Sequence, residues 1–237
     1  MGRYLFPIAL GVSGLAVLLW LGFWQVARLE WKEDILAQLE ARLNTKPLPL
    51  EQVIDPVTSL AERNYTAVRA EISLTGQEAH VYAPTKSGLG YRVVAPALWQ
   101  GRKILIDLGW IPEAAKNNDR AALRMRVIGN LLVPDDFNER FTPDPDLEKN
   151  IWFARHLPPM AAHFAAEDVL IVVRSVEGMQ NGMWDIYDAV TPLPVSPQIS
   201  NDHREYAITW FSLAAVWLGM TLFWILRIRR RKNEPET

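Results

Sequence analysis

The chain has 237 residues, of which 49% are hydrophobic, and its formal net charge is −2. A nearly neutral chain lacks the basic face that nucleic acids require, so we expect no nucleic-acid partner. Cysteine is absent, which excludes a disulfide framework, a CxxC redox site and covalent haem attachment.

An apolar segment opens the chain. Residues 4–27 are predicted to form a first transmembrane helix, because at about 1.5 Å per residue they cross a hydrocarbon core of about 30 Å. Lipid offers no hydrogen bonds, so the backbone must pair within the segment. Gln25 is its one side chain with strong hydrogen-bonding needs. A cleaved signal peptide is the alternative, but the apolar run is too long and no A-x-A site follows.

An amphipathic extension is predicted over residues 28–44. Trp31, Ile35, Leu39 and Leu43 recur every four residues, and charged side chains occupy the other faces. The helix should end near Asn44 because Pro47 follows.

A β-rich domain is predicted over residues 45–200. Apolar alternation and turn residues indicate seven strands, at 65–74, 79–83, 91–99, 103–111, 123–133, 151–155 and 169–176. Gln100-Gly101 is typical of a hairpin turn. Residues 134–149 suggest an acidic loop and residues 159–167 a short helix. The fold class is therefore two terminal transmembrane helices flanking an antiparallel β-rich domain, either a barrel or a sandwich.

A second transmembrane helix is predicted over residues 204–226, followed by a basic tail over 227–237. Arg227, Arg229, Arg230, Arg231 and Lys232 mark this tail as cytoplasmic. Two spans then place both termini in the cytoplasm and the main domain outside it. The absence of a Ser- and Arg-rich presequence favours a multi-pass protein of a bacterial inner membrane with a periplasmic domain.

Motifs of known enzyme classes are missing from the chain. It has no G-x-S-x-G, Walker A, G-x-G-x-x-G or H-E-x-x-H pattern, so we expect that it is not an enzyme. His80, His156 and His163 lack metal-ligand spacing and are interpreted as ordinary surface or partly buried side chains.

His203 differs from the other histidines because of its position. Asp202 is a plausible N-cap and Glu205 completes a capping-box pattern, which places His203 in the first helical turn. The helix dipole there disfavours the imidazolium, and neutral imidazole is the form that binds metals. Tyr206 and Trp210 share its helix face.

A haem is one ligand that this end of the helices could hold. His203 would ligate the iron, aromatic side chains including Trp24 and Trp210 would cover the macrocycle, and Arg28 and Arg204 would pair with its propionates. The plain alternative is an interfacial histidine with two snorkelling arginines.

Four blocks of sequence resemble one known family. They are LGFWQVARLEWKEDIL (residues 21–36), VYAPTKSGLGYRVVAPALWQGRKILIDLGWIP (residues 81–112), the Asn150-Ile151-Trp152 region, and NDHREYAITWF (residues 201–211). In this order, and with a helix–domain–helix layout, the chain resembles the Surfeit-locus cytochrome oxidase assembly factors.

The resemblance implies a role in maturing a haem-copper terminal oxidase. Bacterial members look like carriers that bind haem a transiently and help to place it in the oxidase catalytic subunit, which is the implied partner. Haem a synthase is a candidate second partner. The family pattern makes His203 the axial ligand of the haem iron, with Trp210 nearby.

The chain departs from the family pattern at two places. It has NDHREY where the family usually has Asn-Asn-His-Leu-Gln-Tyr, and Asp107-Leu108 where the family has Asn-Arg before Gly-Trp. If that arginine contacts a haem propionate or a protein partner in the family, then in this chain either another residue has its role or no residue does. A divergent paralogue that serves a quinol oxidase or another haem type therefore stays an alternative.

Three functions other than haem handling are compatible with a membrane-anchored β-rich domain to different degrees. The first alternative is a non-haem, membrane-anchored scaffold that holds an oxidase subunit during assembly. A sensor would need a cytoplasmic output domain, and the short tail leaves no room for one. A hydrolase would need a nucleophile constellation, and none is visible.

Overall fold

A computed structural model describes residues 2–54, 59, 61–177, 187, 189–196 and 202–232, and the side chains of these residues except 2–4, 231 and 232. The helices are α1 (Gly2–Leu43), α2 (Leu50–Val53), α3 (Leu157–Phe164) and α4 (His203–Lys232), with a 3-10 turn at Glu113–Ala115. The strands are β1 (Leu48–Pro49), β2 (Ala67–Leu74), β3 (Ala79–Tyr82), β4 (Gly90–Trp99), β5 (Arg102–Pro112), β6 (Arg124–Leu131), β7 (Ile151–Trp152) and β8 (Leu170–Val176).

The chain forms two compact units. One combines Met1–Gln38 with Pro197–Thr237, and the other is Leu39–Ser196. The end of the predicted basic tail, residues 233–237, lies outside the described residues.

Helix α1 is continuous through the predicted membrane segment and the predicted extension. Its end is capped by the two residues that follow it. Asn44 Nδ2 donates to Glu40 O at 3.0 Å, and Thr45 Oγ1 donates to Arg42 O at 2.8 Å. These bonds satisfy carbonyls that have no partner within the helix.

Helix α4 begins at His203 and runs to Lys232, beyond the predicted end at residue 226. The carbonyl of Asp202 accepts the backbone N–H groups of Glu205 and Tyr206, which starts the helix. It does not stop at the lipid boundary because arginine is a good helix former.

Within their unit, α1 and α4 pack antiparallel along a seam of small residues. Trp217 Nε1 donates to Gly11 O at 3.0 Å. A Cβ on Gly14 would lie 2.6 Å from the Trp217 ring, and one on Gly22 would lie 2.7 Å from the Phe211 ring. Such distances allow only glycine, so these rings sit directly on the α1 backbone. Small residues at such contacts are typical of helices that associate in membranes.

The β-rich unit is a closed barrel. Its strands pair in the order β2–β6–β8–β5–β4, and β4 pairs back to β2 through Leu98 with Ser73 and Ala97 with Leu74. All seven predicted strands are present. Of the two expected architectures, a barrel and a sandwich, the structure shows the barrel. The short strand β1 (Leu48–Pro49) was not predicted because a proline argues against a strand.

The predicted hairpin at Gln100-Gly101 is confirmed. Trp99 of β4 pairs with Arg102 of β5, which leaves a two-residue turn. Gln100 has φ +48° and Gly101 has φ +79°. Positive φ at both central residues defines a type I′ turn, whose twist matches that of the flanking strands.

Two apolar cores lie on the two faces of the barrel wall. Alternate side chains of one strand enter different cores, as the two-residue period of a strand requires. Ile104 and Ile106 of β5 enter the barrel interior. Leu105 packs on the outer face with Trp152 and Met160. The segment that contains β7 and α3 therefore covers this part of the wall.

The sheet is mixed, although an antiparallel one was predicted. The pairs β1–β2, β3–β7 and β5–β8 are parallel. The chain between β5 and β8 holds β6, β7 and α3, which is long enough for the crossover that a parallel pair needs.

The predicted helix at 159–167 is shifted towards the N-terminus. Pro158 and Pro159 follow Leu157 in the first turn of α3, where a backbone N–H has no partner within the helix. Ala165 has φ +49° and its N–H bonds Ala161 O and Ala162 O, which ends the helix. The predicted strand at 151–155 is also too long, because the chain turns away after Trp152 and directs Arg155 to Asp107 and Asp136.

Candidate functional site

Both terminal helices are long and apolar enough to cross a membrane. Their most apolar windows are only 17% and 6% buried within the protein. A core helix of a water-soluble protein would be mostly covered, whereas helices that face lipid keep an apolar surface exposed. The two helices therefore indicate membrane anchoring.

A buried amide and an imidazole meet between these helices. His203 Nδ1 and Gln25 Oε1 lie 2.7 Å apart, although the two residues are separated by 178 positions in sequence. Gln25 is only 8% exposed and His203 is half-buried. The first turn of α4 thus presents its histidine to α1.

The contact with Gln25 determines which nitrogen of the His203 ring carries the proton. An amide oxygen only accepts hydrogen bonds, so Nδ1 carries the proton in this contact. In the neutral ring the lone pair then belongs to Nε2. Among the groups that the structure describes, Nε2 has no hydrogen-bond partner. Metal-binding histidines share this arrangement, in which one nitrogen donates to a protein oxygen and the other binds the metal.

The aromatic residues predicted around His203 differ in exposure. Trp210 is half-buried, seven residues along α4. Tyr206 is 56% exposed and Trp24, next to Gln25, is 50% exposed. These exposed rings offer flat surface beside the amide–imidazole pair.

The two predicted cations both reach the surface of the helix pair. Arg204 is exposed. The guanidinium of Arg28 lies over the Trp31 ring, 3.9 Å from its centroid. Arg28 is one turn beyond Gln25 on α1, so the two residues are neighbours on the helix surface.

Gln25 is the residue that sequence reasoning did not assign to the site. In the sequence it stands out only as a polar side chain within the first apolar segment. That was the available signal, since a polar group within a membrane segment requires a partner and marks a functional hypothesis.

The other histidines belong to the barrel unit. His80 is buried, and its Nε2 lies 2.7 Å from Glu78 Oε1. The His156 ring stacks on Phe137, with centroids 3.9 Å apart. His163 makes edge contacts with Trp152 and Phe164. Within the described ranges, no group of three or more His, Asp or Glu residues is arranged to hold a metal ion.

Glu78 joins a buried charge cluster with His80 and Arg120. Both Arg120 Nε and Nη2 donate to its carboxylate at 2.6 Å. Burial opposes ionisation, but the hydrogen bonds from Arg120 and His80 outweigh it and lower the pKa of Glu78 from its ordinary value.

Asp107 is the centre of a second buried cluster. It is fully buried and accepts Arg92 Nε at 2.7 Å, while Arg155 Nη1 lies 3.4 Å away. Burial disfavours the charged guanidinium, but Asp107 and Asp136 outweigh this effect and raise the pKa of Arg155. Leu108 lies in the barrel interior at 1% exposure. Leu108, for which the resemblance in the sequence implies an arginine, is therefore a core residue in this chain.

The fold and the helix pair together define a class of protein. It is a β-barrel protein with two long apolar helices suited to membrane anchoring and a partly buried amide–imidazole contact between them. A model of the SURF1 family matches residues 13–215. The chain belongs to the SURF1 family, which confirms the resemblance found in the sequence.

Relatives occur in bacteria and animals. The chain is 30% identical to a SURF1-like protein of Rickettsia felis over 217 residues, which cover 84% of this chain and 87% of that protein. It is 27% identical to Surfeit locus protein 1 of Gallus gallus over 223 residues, covering 82% and 67%. It is also 27% identical to a SURF1-like protein of Drosophila melanogaster over 241 residues, covering 89% and 74%.

Proposed function

We propose that this protein is an assembly factor for a haem-copper terminal oxidase. It acts as a carrier rather than as an enzyme, and it binds haem a transiently before the haem enters the oxidase catalytic subunit. The observation that carries the proposal is the contact between Gln25 and His203, which leaves Nε2 free to ligate iron. Family membership supports the assembly role.

Gln25 acts in this proposal by orienting the imidazole. Its amide oxygen holds the proton on Nδ1 and limits rotation of the ring. A haem supplies an iron that accepts the Nε2 lone pair as an axial ligand. Among the described residues of the helix pair, His203 is the only histidine, so ligation is single and suits a cargo that must be released.

Arg28 and Arg204 are the proposed partners of the haem propionates. Stacking on Trp31 uses the flat face of the Arg28 guanidinium. The N–H donors point outwards in the guanidinium plane, so they remain able to bind a carboxylate. Trp24, Tyr206 and Trp210 supply apolar surface for the macrocycle. Haem a has a long apolar tail, which would stay in lipid.

The proposed location is a bacterial inner membrane. Both helices span it, and Arg227, Arg229 and Arg230 keep the end of α4 in the cytoplasm. Both termini are then cytoplasmic and the barrel lies in the periplasm, with the His203 end of the helices at the outer interface. Haem a synthase is a second partner in this proposal.

The test is purification of the full chain from cells that make haem a, followed by visible spectroscopy and pigment analysis. The His203→Ala variant should lose the haem spectrum. The control is His163→Ala, which removes an exposed histidine of α3. An unchanged haem spectrum in the His203→Ala variant removes the ligand assignment, and a protein without haem in all three preparations contradicts the carrier function.

The competing proposal is a scaffold that binds no haem and holds an oxidase subunit. Exposed apolar side chains on the barrel unit favour it, since Phe141 is 77% exposed and Leu147 is 55% exposed. Large exposed apolar groups often mark protein interaction sites. Deletion of the gene separates the two functions. A haem-replete but unassembled oxidase supports the scaffold, and an oxidase subunit that lacks haem a supports the carrier.

A further inference from the structure

A groove opens between α1 and α4 at the end of the helix pair that is remote from His203. Its volume is about 310 Å³. Its lining includes Pro7, Leu10, Trp217, Met220, Trp224 and Arg227. No histidine lines this groove, so it is distinct from the haem site proposed above.

The groove offers apolar surface and one charge. The N–H of Trp217 is already donated to Gly11 O, so its ring presents only carbon surface to a ligand. Arg227 is exposed, and among the described residues its guanidinium has no hydrogen bond and no ion pair. A ligand that fits must therefore be apolar along most of its length and anionic at one end.

The counter-charge for Arg227 does not come from either helix. Residues 1–29 and 206–233 contain no aspartate and no glutamate. Arg229 and Arg230 add further positive charge near Arg227. An arginine beside an apolar groove between membrane helices is a known way to bind lipid headgroups.

We propose that this groove binds one acyl chain of an anionic phospholipid, whose phosphate pairs with Arg227. The chain contacts the Trp217 and Trp224 rings, and the guanidinium donates parallel hydrogen bonds to the phosphate oxygens. The inference rests on the helices lying in a bilayer, as proposed above, but not on haem binding.

Fluorescence quenching by brominated lipids tests the proposal. The full chain is reconstituted in phosphatidylcholine vesicles with rising fractions of brominated phosphatidylglycerol or brominated phosphatidylcholine. The difference between the wild type and Trp224→Phe isolates the signal of Trp224. We expect half-quenching at a fraction of brominated phosphatidylglycerol about fivefold lower than that of brominated phosphatidylcholine, given the usual gain per arginine at a membrane surface.

Two charge variants separate a site from general surface attraction. Arg227→Gln should abolish the preference for the anionic lipid. Arg229→Gln is the matched control, because it removes the same charge roughly 200° around the helix, and it should keep most of the preference. Excess inorganic phosphate at constant ionic strength should change nothing, because it has no acyl chain.

Several outcomes overturn the proposal. Equal effects of the two arginine substitutions mean that only surface charge attracts the lipid, and a response to inorganic phosphate means a plain anion site. Equal quenching by the two brominated lipids in the wild type removes the headgroup contact. Absence of quenching by either lipid contradicts the membrane location itself, which separates that failure from failure of the groove.

Discussion

The Asp107 cluster of the barrel and the Gln25–His203 contact of the helix pair satisfy their polar side chains differently. In the barrel, the carboxylate of Asp107 meets Arg92, Arg155 and the backbone N–H of Gly109, so its oxygens have partners. In the helix pair, the contact between Gln25 and His203 satisfies one ring nitrogen and leaves the other without a partner among the described groups.

This difference separates a structural role from a binding role. A buried charge with complete pairing stabilises one arrangement of the chain and has little capacity left for a ligand. A half-buried imidazole with one free lone pair is held in place and is still able to bind. The Asp107 cluster is thus assigned to stability, whereas the helix-pair contact supports the proposed binding role.

The largest expected effect is a loss of barrel stability when Asp107 is replaced. Asp107→Ala leaves the guanidinium groups of Arg92 and Arg155 buried without their common counter-charge. We expect a loss of ~3–5 kcal/mol in the free energy of unfolding, as for other broken buried pairs. Chemical denaturation of the purified full chain measures it.

The control for this prediction is an exposed ion pair of the same barrel. Glu71 lies 2.6 Å from Arg124, and both side chains are largely exposed. Glu71→Ala should cost less than about 1 kcal/mol because solvent screens such pairs. Equal losses in the two variants would contradict the distinction between buried and exposed pairs.

A smaller effect, on haem affinity, is expected when Gln25 of the helix pair is replaced. Gln25→Leu removes the acceptor for Nδ1–H, so His203 is free to rotate or change tautomer. Loss of such a partner usually weakens metal binding by about 10- to 100-fold, and we expect this range for haem titrated into the purified chain. Gln25→Glu keeps an acceptor and should retain most of the affinity. A Gln25→Leu variant with wild-type haem affinity would make the contact purely structural.

The smallest expected effect is a pH dependence of the barrel. The hydrogen bonds from Arg120 and His80 hold the pKa of Glu78 below its ordinary value, so the folded state favours the carboxylate. Stability from this group is therefore present above the ordinary glutamate pKa and is lost as the pH falls through the lower value in the folded protein. Unfolding curves at acidic and neutral pH should converge for the wild type and Glu78→Gln at the acid end. Parallel curves over the whole range would rule out this linkage.

Much of the barrel was predictable because its signals are local. Alternation of apolar residues marked every long strand, and Gln100-Gly101 marked the hairpin that joins β4 to β5. The parallel pairing of β5 with β8 was not predictable, since no local pattern states which strands become neighbours. The same limit hid the contact of Asp107 with Arg155, which are 48 residues apart.

The candidate site was predictable only in part. The first turn of α4 identified His203, and the family pattern supported it. The partner on α1 depends on how far the two helices slide along each other, which neither sequence segment encodes alone. Gln25 was visible as a polar residue in an apolar segment, but its role required the antiparallel register that Gly14 and Gly22 set against Trp217 and Phe211.

The glycine seam also limits how a ligand arrives and departs. Because the Trp217 and Phe211 rings rest on the backbone of the opposite helix, α1 and α4 are in direct contact at Gly14 and Gly22. A ligand at His203 would therefore exchange laterally with the surrounding lipid or with a docked subunit. The two helices would not have to separate for this exchange.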